Sequence, residues 1–222
     1  MNERIKSIAD AATSLFLQQG YSKTQIKHIA KAVGVSVGTI YLDFNGKEEI
    51  MHFILKGTLD PDFVNLEFDR PITDELFTGL ENDIVEMFET IGNDFKKHLI
   101  NQAENYSFEE LISDAFDILA KYAVCFLFIE KNQFDFTFLA EQYRRYRRRF
   151  FEVITQYIAI FMKRGTVRQL EHPELTTTLI IEILSWWTMD MRYTSFEMRN
   201  IPLNVAKELC MDNIISAYQR KN

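Results

Sequence analysis

The sequence predicts an all-α protein. Apolar residues recur at intervals of three and four along most of the 222-residue chain, which is the periodicity of helices with one buried face. Strand-type alternation of apolar and polar residues is absent, as are internal repeats and low-complexity segments. A chain of this length is long enough to bury a large core in one or two domains.

The first predicted helix covers residues 3–19. Its apolar residues form a stripe at helical spacing, whereas charged residues such as Arg4 and Lys6 are expected to face water. Gly20 ends this helix, and Tyr21 is expected to pack back onto it. Thr24 is placed to cap the helix that follows.

Two short helical patterns follow with almost nothing between them. The first has apolar residues at helical spacing and stops at Gly34, which suits the left-handed residue that ends a helix. Ser36 offers an N-cap hydroxyl for the second, in which Ile40 and Phe44 form the buried side. Two short helices joined by a glycine-containing turn predict a helix-turn-helix. The second helix of such a motif lies in a DNA major groove.

The next helix is predicted to begin at Lys47 and to be interrupted by Gly57. Residues 58–72, which contain Pro61 and Pro71, resemble a connection between two domains. We therefore predict an N-terminal three-helix head at residues 1–57 and a helical domain at residues 58–222.

The second domain is predicted to be helical throughout. One stripe runs from Phe77 to Phe95, and Ser107 begins a capping box that leads to a break near Asn132. A third stripe ends at Gly165. Pro173 fits the first position of a helix that runs to about residue 193, and a last helix covers about residues 202–218.

The charge of the chain is unevenly distributed. The formal net charge is −7, yet residues 1–56 carry seven Lys and Arg against five Asp and Glu. Residues 57–106 carry three against twelve. Only the N-terminal segment therefore has the sign that attracts DNA phosphates.

Several classes of protein and site are disfavoured. No apolar run is long enough to span a bilayer and no signal peptide is recognisable, so we expect a cytoplasmic protein. Cys125 and Cys210 lie in apolar helical patterns and are expected to be buried free thiols. The four histidines lack metal-ligand spacing, and no catalytic or phosphate-binding motif occurs. We predict no metal, no cofactor and no enzymatic activity.

The N-terminal residues resemble a known family. The run from Ile29 to Tyr41, Ile-Ala-Lys-Ala-Val-Gly-Val-Ser-Val-Gly-Thr-Ile-Tyr, with Phe44 and Lys47 after it, closely resembles the TetR-family transcriptional regulators. The resemblance covers roughly the first 56 residues, and the rest is similar only in general plan. It implies a DNA-binding head followed by a ligand-binding and dimerisation domain, and a homodimer that would bind a palindromic double-stranded DNA operator.

The resemblance and the helical geometry predict the DNA contacts. Gly38 would let the second helix approach the duplex closely, and side chains opposite Ile40 would reach bases. Tyr41, Lys47 and Thr24 resemble the family's phosphate-contacting residues. The complete predicted set is Thr24, Gln25, Ser36, Val37, Gly38, Thr39, Tyr41, Leu42 and Lys47.

The second domain would supply the dimer interface and an effector pocket. Its last two helices are apolar on more than one side, which favours either a two-fold dimer or burial within one chain. The predicted interface residues are Ile180, Leu184, Trp186, Val205 and Leu209. The 19 phenylalanines of the chain, concentrated in this domain, could line a pocket for an apolar effector or fill the core. The candidate pocket residues are Phe88, Tyr122, Phe126, Tyr146, Phe150 and Trp187.

Two features leave alternatives open. Asp43 is acidic at a place that could face phosphate, so it faces solvent, pairs locally or accepts from a cytosine amine. The arginines of residues 144–149 form either an anion site or, as we favour, a solvated helix face. The most direct interpretation is a homodimeric repressor released from DNA by a small apolar effector. An activator or architectural regulator without an effector, and a protein-interaction module with a degenerate head, remain alternatives.

Overall fold

The computed structural model describes residues 3–197 and 200–220, and helices make up most of both ranges. The α-helices are α1 (Glu3–Gln18), α2 (Ile26–Val33), α3 (Val37–Asp43), α4 (Lys47–Leu59), α5 (Leu80–Lys96), α6 (Phe108–Lys121), α7 (Ala123–Lys131), α8 (Thr137–Arg164), α9 (Pro173–Ser185), α10 (Met191–Tyr193) and α11 (Leu203–Tyr218). Short 3-10 helices cover Phe63–Asn65, Asp74–Phe77 and Lys97–Leu99. Within the two described ranges no strand forms, and this confirms the predicted all-α class.

The chain divides into two compact units. The first unit takes in the chain up to Met87 together with Val124–Glu141, and the second takes in Phe88–Ala123 and the chain from Gln142 onward. These divisions follow backbone packing and differ from the functional boundary that we predict near residue 57. That boundary stays a prediction.

The core of the first unit joins the short helices to their neighbours. α1 packs against α2 and α4, and α2 packs against α3. Ile8, Ile29, Ile40 and Phe44 are fully buried, which is the arrangement expected from their helical spacing. Burial of these apolar side chains provides the main stabilisation of helices that are too short to be stable alone.

The residues after α4 are packed against it. Phe53 of α4 contacts Phe63 and Phe68, with ring centroids 5.4 Å apart in both pairs. The predicted interruption of α4 at Gly57 is wrong, because the helix continues to Leu59. Gly57 is instead a point of close approach, where a Cβ atom would lie 2.6 Å from Cγ1 of Val64.

In the second unit, α6 packs against α9 and α11. Aromatic rings of α5 and α8 contact each other along both helices: the Phe88 ring stacks on Tyr146 at 5.1 Å, and Phe95 lies 4.9 Å from Phe150. The capping box of Ser107 and Glu110 forms as predicted. α6 ends at Lys121, earlier than the pattern predicts, with Tyr122 at its C-cap. A π-helical turn at Trp186–Asp190 follows α9.

Both cysteines are free and buried, as predicted. In residues 3–197 and 200–220 the helices are all too short or too polar to cross a bilayer.

Two glycines inside helices should respond in opposite ways to alanine. Gly57→Ala should lower the free energy of unfolding, because overpacking against the stiff Val64 side chain costs ~1–3 kcal/mol. Gly92→Ala in α5 should raise it by ~0.5–1 kcal/mol, since a Cβ there meets nothing within 4 Å. Urea unfolding of the two variants measures the difference. A stabilised Gly57→Ala variant would show that the contact with Val64 relaxes without cost.

Candidate nucleic-acid interface

The turn between α2 and α3 forms through local chemistry. Gly34 adopts the left-handed conformation with φ of 79°, and its N–H donates to the Ala30 carbonyl at 2.9 Å. The Ser36 Oγ accepts from the Thr39 N–H at 3.1 Å and caps α3. Both features are as predicted. They set the start of α3 within a few residues of the end of α2.

α3 has one buried and one exposed face. Ile40 is fully buried, whereas Val37 is 41%, Tyr41 48% and Leu42 64% exposed. Ser36 is also exposed, and its hydroxyl lies 2.9 Å from that of Thr39. Val37, Tyr41 and Leu42, three of the predicted DNA contacts, therefore lie on the outer surface of a seven-residue helix.

The fold does not require a glycine at position 38. Gly38 is exposed and helical, and a Cβ atom would lie 3.7 Å from the Ser36 Oγ, an ordinary contact distance. A glycine in a helix interior lowers stability by ~1 kcal/mol relative to alanine. Internal packing therefore gives no reason for a glycine at this position.

Lys47 is a structural residue in the free chain. Its Nζ donates to the carbonyls of Tyr21 at 2.9 Å and Thr24 at 3.0 Å, and it lies 3.9 Å from the centre of the Tyr21 ring. Burial lowers the pKa of Lys47 from its ordinary value. The lysine thus holds the turn between α1 and α2, and the phosphate contact implied by the family resemblance stays a prediction.

Thr24 lies inside the first unit. It is fully buried, its hydroxyl donates to the Gly20 carbonyl at 2.8 Å, and it accepts from Gln19 Nε2 at 3.0 Å. The residue at the cap position of α2 is Gln25, so the predicted capping role of Thr24 is wrong. Its burial favours an internal role over the predicted phosphate contact. Gln25 is exposed, at the start of α2.

Tyr21 connects the turn to a distant part of the sequence. Its N–H donates to Oδ1 of Asn132 at 2.6 Å, and its ring lies 5.2 Å from both Phe16 and Phe136. Burial, together with nearby acidic residues, raises the pKa of Tyr21 to about 12, so the phenol stays protonated at neutral pH. Sequence reasoning missed Asn132 because 111 residues separate it from Tyr21.

Asp43 is buried and paired with two arginines. The residue is fully buried at the end of α3 and accepts from Nη2 of Arg4 at 2.7 Å and Nη1 of Arg70 at 3.1 Å. It faces neither solvent nor an approaching base. Arg4, which was expected to face water, instead turns one side of its guanidinium to this carboxylate.

The predicted interface residues of α9 and α11 fall into two groups. Ile180 and Leu184 are buried within the second unit, which favours a core role for both. Trp186, Val205 and Leu209 are 41%, 47% and 43% exposed. The assignment of the set to a dimer interface stays a prediction.

The candidate pocket residues are largely packed. Phe126 is fully buried in the first unit, while in the second Tyr146 stacks on both Phe88 and Phe150. Tyr122 is 9% exposed, and Trp187 is partly buried. A different, open groove of about 550 Å³ lies on the second unit, and its lining residues are Arg148, Phe151, Glu152, Thr155, Gln156, Glu174 and Thr178. The predicted pocket therefore stays a prediction.

The arginine cluster of α8 is mostly solvated. Arg144, Arg145, Arg148 and Arg149 are exposed, and Arg147 pairs with Glu182 at 3.4 Å. This placement agrees with the solvated helix face that we favour for the cluster.

Comparison with known proteins supports the interpretation of the head. Residues 8–53, which span most of α1 to α4, match the sequence model of the family "Bacterial regulatory proteins, tetR family". The chain is similar to TetR-family proteins over these residues. Members of this family are regulators of transcription, and the helix-turn-helix of residues 26–43 is the part that the match and the geometry share.

Curated relatives match the chain over part of their length. The transcriptional regulator HbdR of Aromatoleum sp. (strain CIB) is 45% identical over 60 residues, which are 27% of this chain and 26% of HbdR. The fatty acid metabolism regulator protein of Bacillus subtilis (strain 168) is 31% identical over 97 residues, 44% of this chain and 50% of that protein. The matches thus span no more than half of either relative.

The whole fold is also found in the solved structure of a transcriptional regulator. The ketosteroid transcriptional regulator KstR2 of Mycobacterium tuberculosis superposes with a TM-score of 0.53, covering 100% of this chain and 97% of KstR2. The two sequences are only 14% identical, so the likeness concerns the fold alone.

The internal role of Lys47 can be tested by Lys47→Met. The variant should lower the free energy of unfolding by ~1–3 kcal/mol, because two carbonyls lose a charged donor in a partly buried place. Lys31→Met, which changes an exposed lysine of α2, should alter stability by less than ~0.5 kcal/mol. Thermal and urea unfolding provide the comparison. Equal effects in the two variants would contradict the role assigned to Lys47.

Proposed function

We propose that the chain is a sequence-specific, DNA-binding transcriptional regulator that acts as a homodimeric repressor. In this proposal residues 1–57 contact the operator, and residues 58–222 form the dimer and bind a small apolar effector. α3 is the recognition helix. The effector would favour a conformer that binds the operator less tightly, since only differential affinity can shift such an equilibrium.

The outer face of α3 is the observation that carries the proposal. A short, stably capped helix presents Val37, Tyr41 and Leu42 to solvent around a glycine that packing does not require. Apolar side chains at this density are unusual on a free surface, and they suit contacts with thymine methyl groups in a major groove. The hydroxyls of Ser36 and Thr39 add hydrogen-bonding groups at the start of the same helix.

The charge distribution supports a DNA partner for the head. Residues 1–56 have a net positive charge although the whole chain is acidic. Long-range attraction would therefore orient the head toward the phosphate backbone and the rest of the chain away from it.

A dimer is supported by the exposed apolar side chains of α9 and α11. These two helices contact each other, and each leaves large apolar residues in solvent. Leu175 and Leu179 of α9 and Trp186, just after it, follow at intervals of four and seven, and on α11, Val205 and Leu209 lie four apart. Each set occupies one helical face. A two-fold axis beside this surface would bury both faces and present two recognition helices to a palindromic site.

An apolar effector is supported by the composition of the second domain. Aromatic side chains line α5 and α8 along their contact, so small rearrangements there would open apolar space. One relative is named for the regulation of fatty acid metabolism, which fits the same class of effector.

Gly38→Ala tests the recognition role of α3. The variant should unfold at the same or a higher temperature, because alanine favours the helix and its Cβ has room. Its affinity for the operator should fall at least ~10-fold, since the added methyl group holds the helix away from the bases. Gel shifts with the DNA flanking the chain's own gene measure the affinity.

Gly92→Ala is the matched control, because it makes the same substitution in a helix outside the head. It should bind DNA as the wild-type chain does. The proposal would be refuted if the wild-type chain formed no salt-sensitive, sequence-selective complex, or if both alanine variants bound equally.

Leu209→Glu tests the dimer. Placing a charge on the exposed face of α11 should convert a dimer to a monomer, measured by analytical ultracentrifugation over a range of concentrations. Ile100→Glu alters another exposed apolar residue, 84% exposed, and should leave the dimer intact. A monomeric wild-type chain, or a Leu209→Glu variant as dimeric as the wild type, would contradict the proposed interface.

A further inference from the structure

Two arginines from different parts of the chain hold a buried carboxylate at the end of the recognition helix. Asp43 is the last residue of α3 and is fully buried. Arg4 comes from α1, and Arg70 comes from the segment between the 3-10 helices Phe63–Asn65 and Asp74–Phe77. Both guanidinium groups donate to Oδ1, and Arg4 donates to Oδ2 as well.

This carboxylate needs both partners. A buried negative charge is costly unless it is paired and hydrogen-bonded, and here it also lies at the negative end of a helix dipole. Burial raises the pKa of Asp43, but the hydrogen bonds and charges of Arg4 and Arg70 outweigh burial and lower the pKa below the ordinary value of 3.8. The residue is therefore ionised at neutral pH, and its position depends on where the two arginines are held.

Backbone hydrogen bonds join the Arg70 segment to the same end of α3. The Ile72 N–H donates to the Asp43 carbonyl at 2.8 Å, and the Asn45 N–H donates to the Ile72 carbonyl at 2.9 Å. Ile72 itself is 2% exposed. The segment from Arg70 to Ile72 is thus bound to Asp43 by one side chain and one main-chain hydrogen bond, and to Asn45, just after α3, by a second main-chain bond.

The segment is itself well anchored. Phe68, two residues before Arg70, packs on Phe53 of α4 and on Phe63, with centroid distances of 5.4 and 5.1 Å. His52 of α4 and Asp74, two residues after Ile72, approach to 2.6 Å. Contacts on both sides of Arg70–Ile72 therefore fix this stretch to α4.

We propose that the stretch Arg70–Ile72 is a clamp that sets the position of the recognition helix, and that Arg70 is a positioning residue acting through Asp43. The inference rests on the proposed DNA-binding function of α3. Residues beyond the helix-turn-helix itself would then determine operator affinity, and displacement of the stretch would displace the carboxyl end of α3. Arg70 is 43% exposed, so a direct phosphate contact is the competing role that an experiment must separate.

Operator binding by Arg70→Gln, Asp43→Asn and the double variant tests the clamp. Each single variant should bind at least ~10-fold more weakly. The double variant should bind no more weakly than the worse single variant, because both changes remove the same interaction. Arg70→Lys keeps the charge and one donor and should recover part of the affinity. Circular dichroism at the binding temperature establishes that each variant is folded, and where Asp43→Asn does not fold, the two Arg70 variants carry the test.

Salt dependence separates positioning from direct contact. A positioning residue leaves the slope of log affinity against log salt unchanged, whereas loss of a phosphate contact reduces that slope by about one. Lys6→Gln is the charge-matched control, since Lys6 is an exposed residue of α1 paired only locally with Asp10. It should change the affinity by less than ~3-fold. A reduced slope in Arg70→Gln, or an affinity within 3-fold of the wild type, would overturn the clamp.

Hydrogen exchange distinguishes failure of the clamp from failure of the proposed function. If the wild-type chain bound no DNA, the regulatory proposal would fail, and the amides of residues 37–43 would still report on the clamp. Faster exchange there in Arg70→Gln than in Lys6→Gln supports it. Equal exchange in the two variants overturns it.

Discussion

The Lys47 ammonium and the turn that it holds are the constraint on which the head depends. Helices of eight and seven residues are not stable in water by themselves, so α2 and α3 exist only where tertiary contacts fix both of their ends. Lys47 binds two carbonyls of the turn before α2, and Asn132 binds the N–H of Tyr21 in the same turn. These polar contacts fix the turn that leads into α2, and the apolar packing of α2 against α1 and α3 does the rest.

α3 is fixed differently at its two ends. Its first turn is set by the Ser36 hydroxyl, a contact between residues three apart. Its last residue is held by arginines that lie 39 and 27 residues away in the sequence. The buried side, Ile40 and Phe44, then settles the rotation of the helix and leaves Val37, Tyr41 and Leu42 outside. Capping thus fixes the start of α3, ion pairing fixes its end, and packing fixes its rotation about the helix axis.

The contrast between local and distant contacts explains what could be predicted from the sequence. Helix ends at Gly34, Ser36, Ser107 and Gly165 depend on chemistry within four residues, and all four were predicted correctly. The all-α class follows in the same way from local periodicity.

The differences from the sequence predictions arise where a residue's contacts lie outside its own helical pattern. Gly57 was interpreted as a helix break, although its role is to admit Val64. For Asp43 the sequence leaves solvent exposure, local pairing and a base contact open, because nothing near it in sequence indicates Arg70. For the candidate site, spacing identified the outer face of α3 correctly in position. It could not show that Thr24 and Lys47 are used inside the fold, since their partners are backbone carbonyls, which have no sequence signature.

Modification of the two buried thiols can report on the local opening of each compact unit. Cys125 lies in the first compact unit and Cys210 in the second, and burial raises their pKa values to about 12 and about 11. Since the thiolate is the reactive form, a thiol reagent can modify either residue only after its unit has opened. The rate at which each cysteine is labelled therefore measures the opening of one compact unit independently of the other. A ligand that stabilises only one unit would slow the labelling of the cysteine in that unit and leave the labelling rate of the other cysteine unchanged.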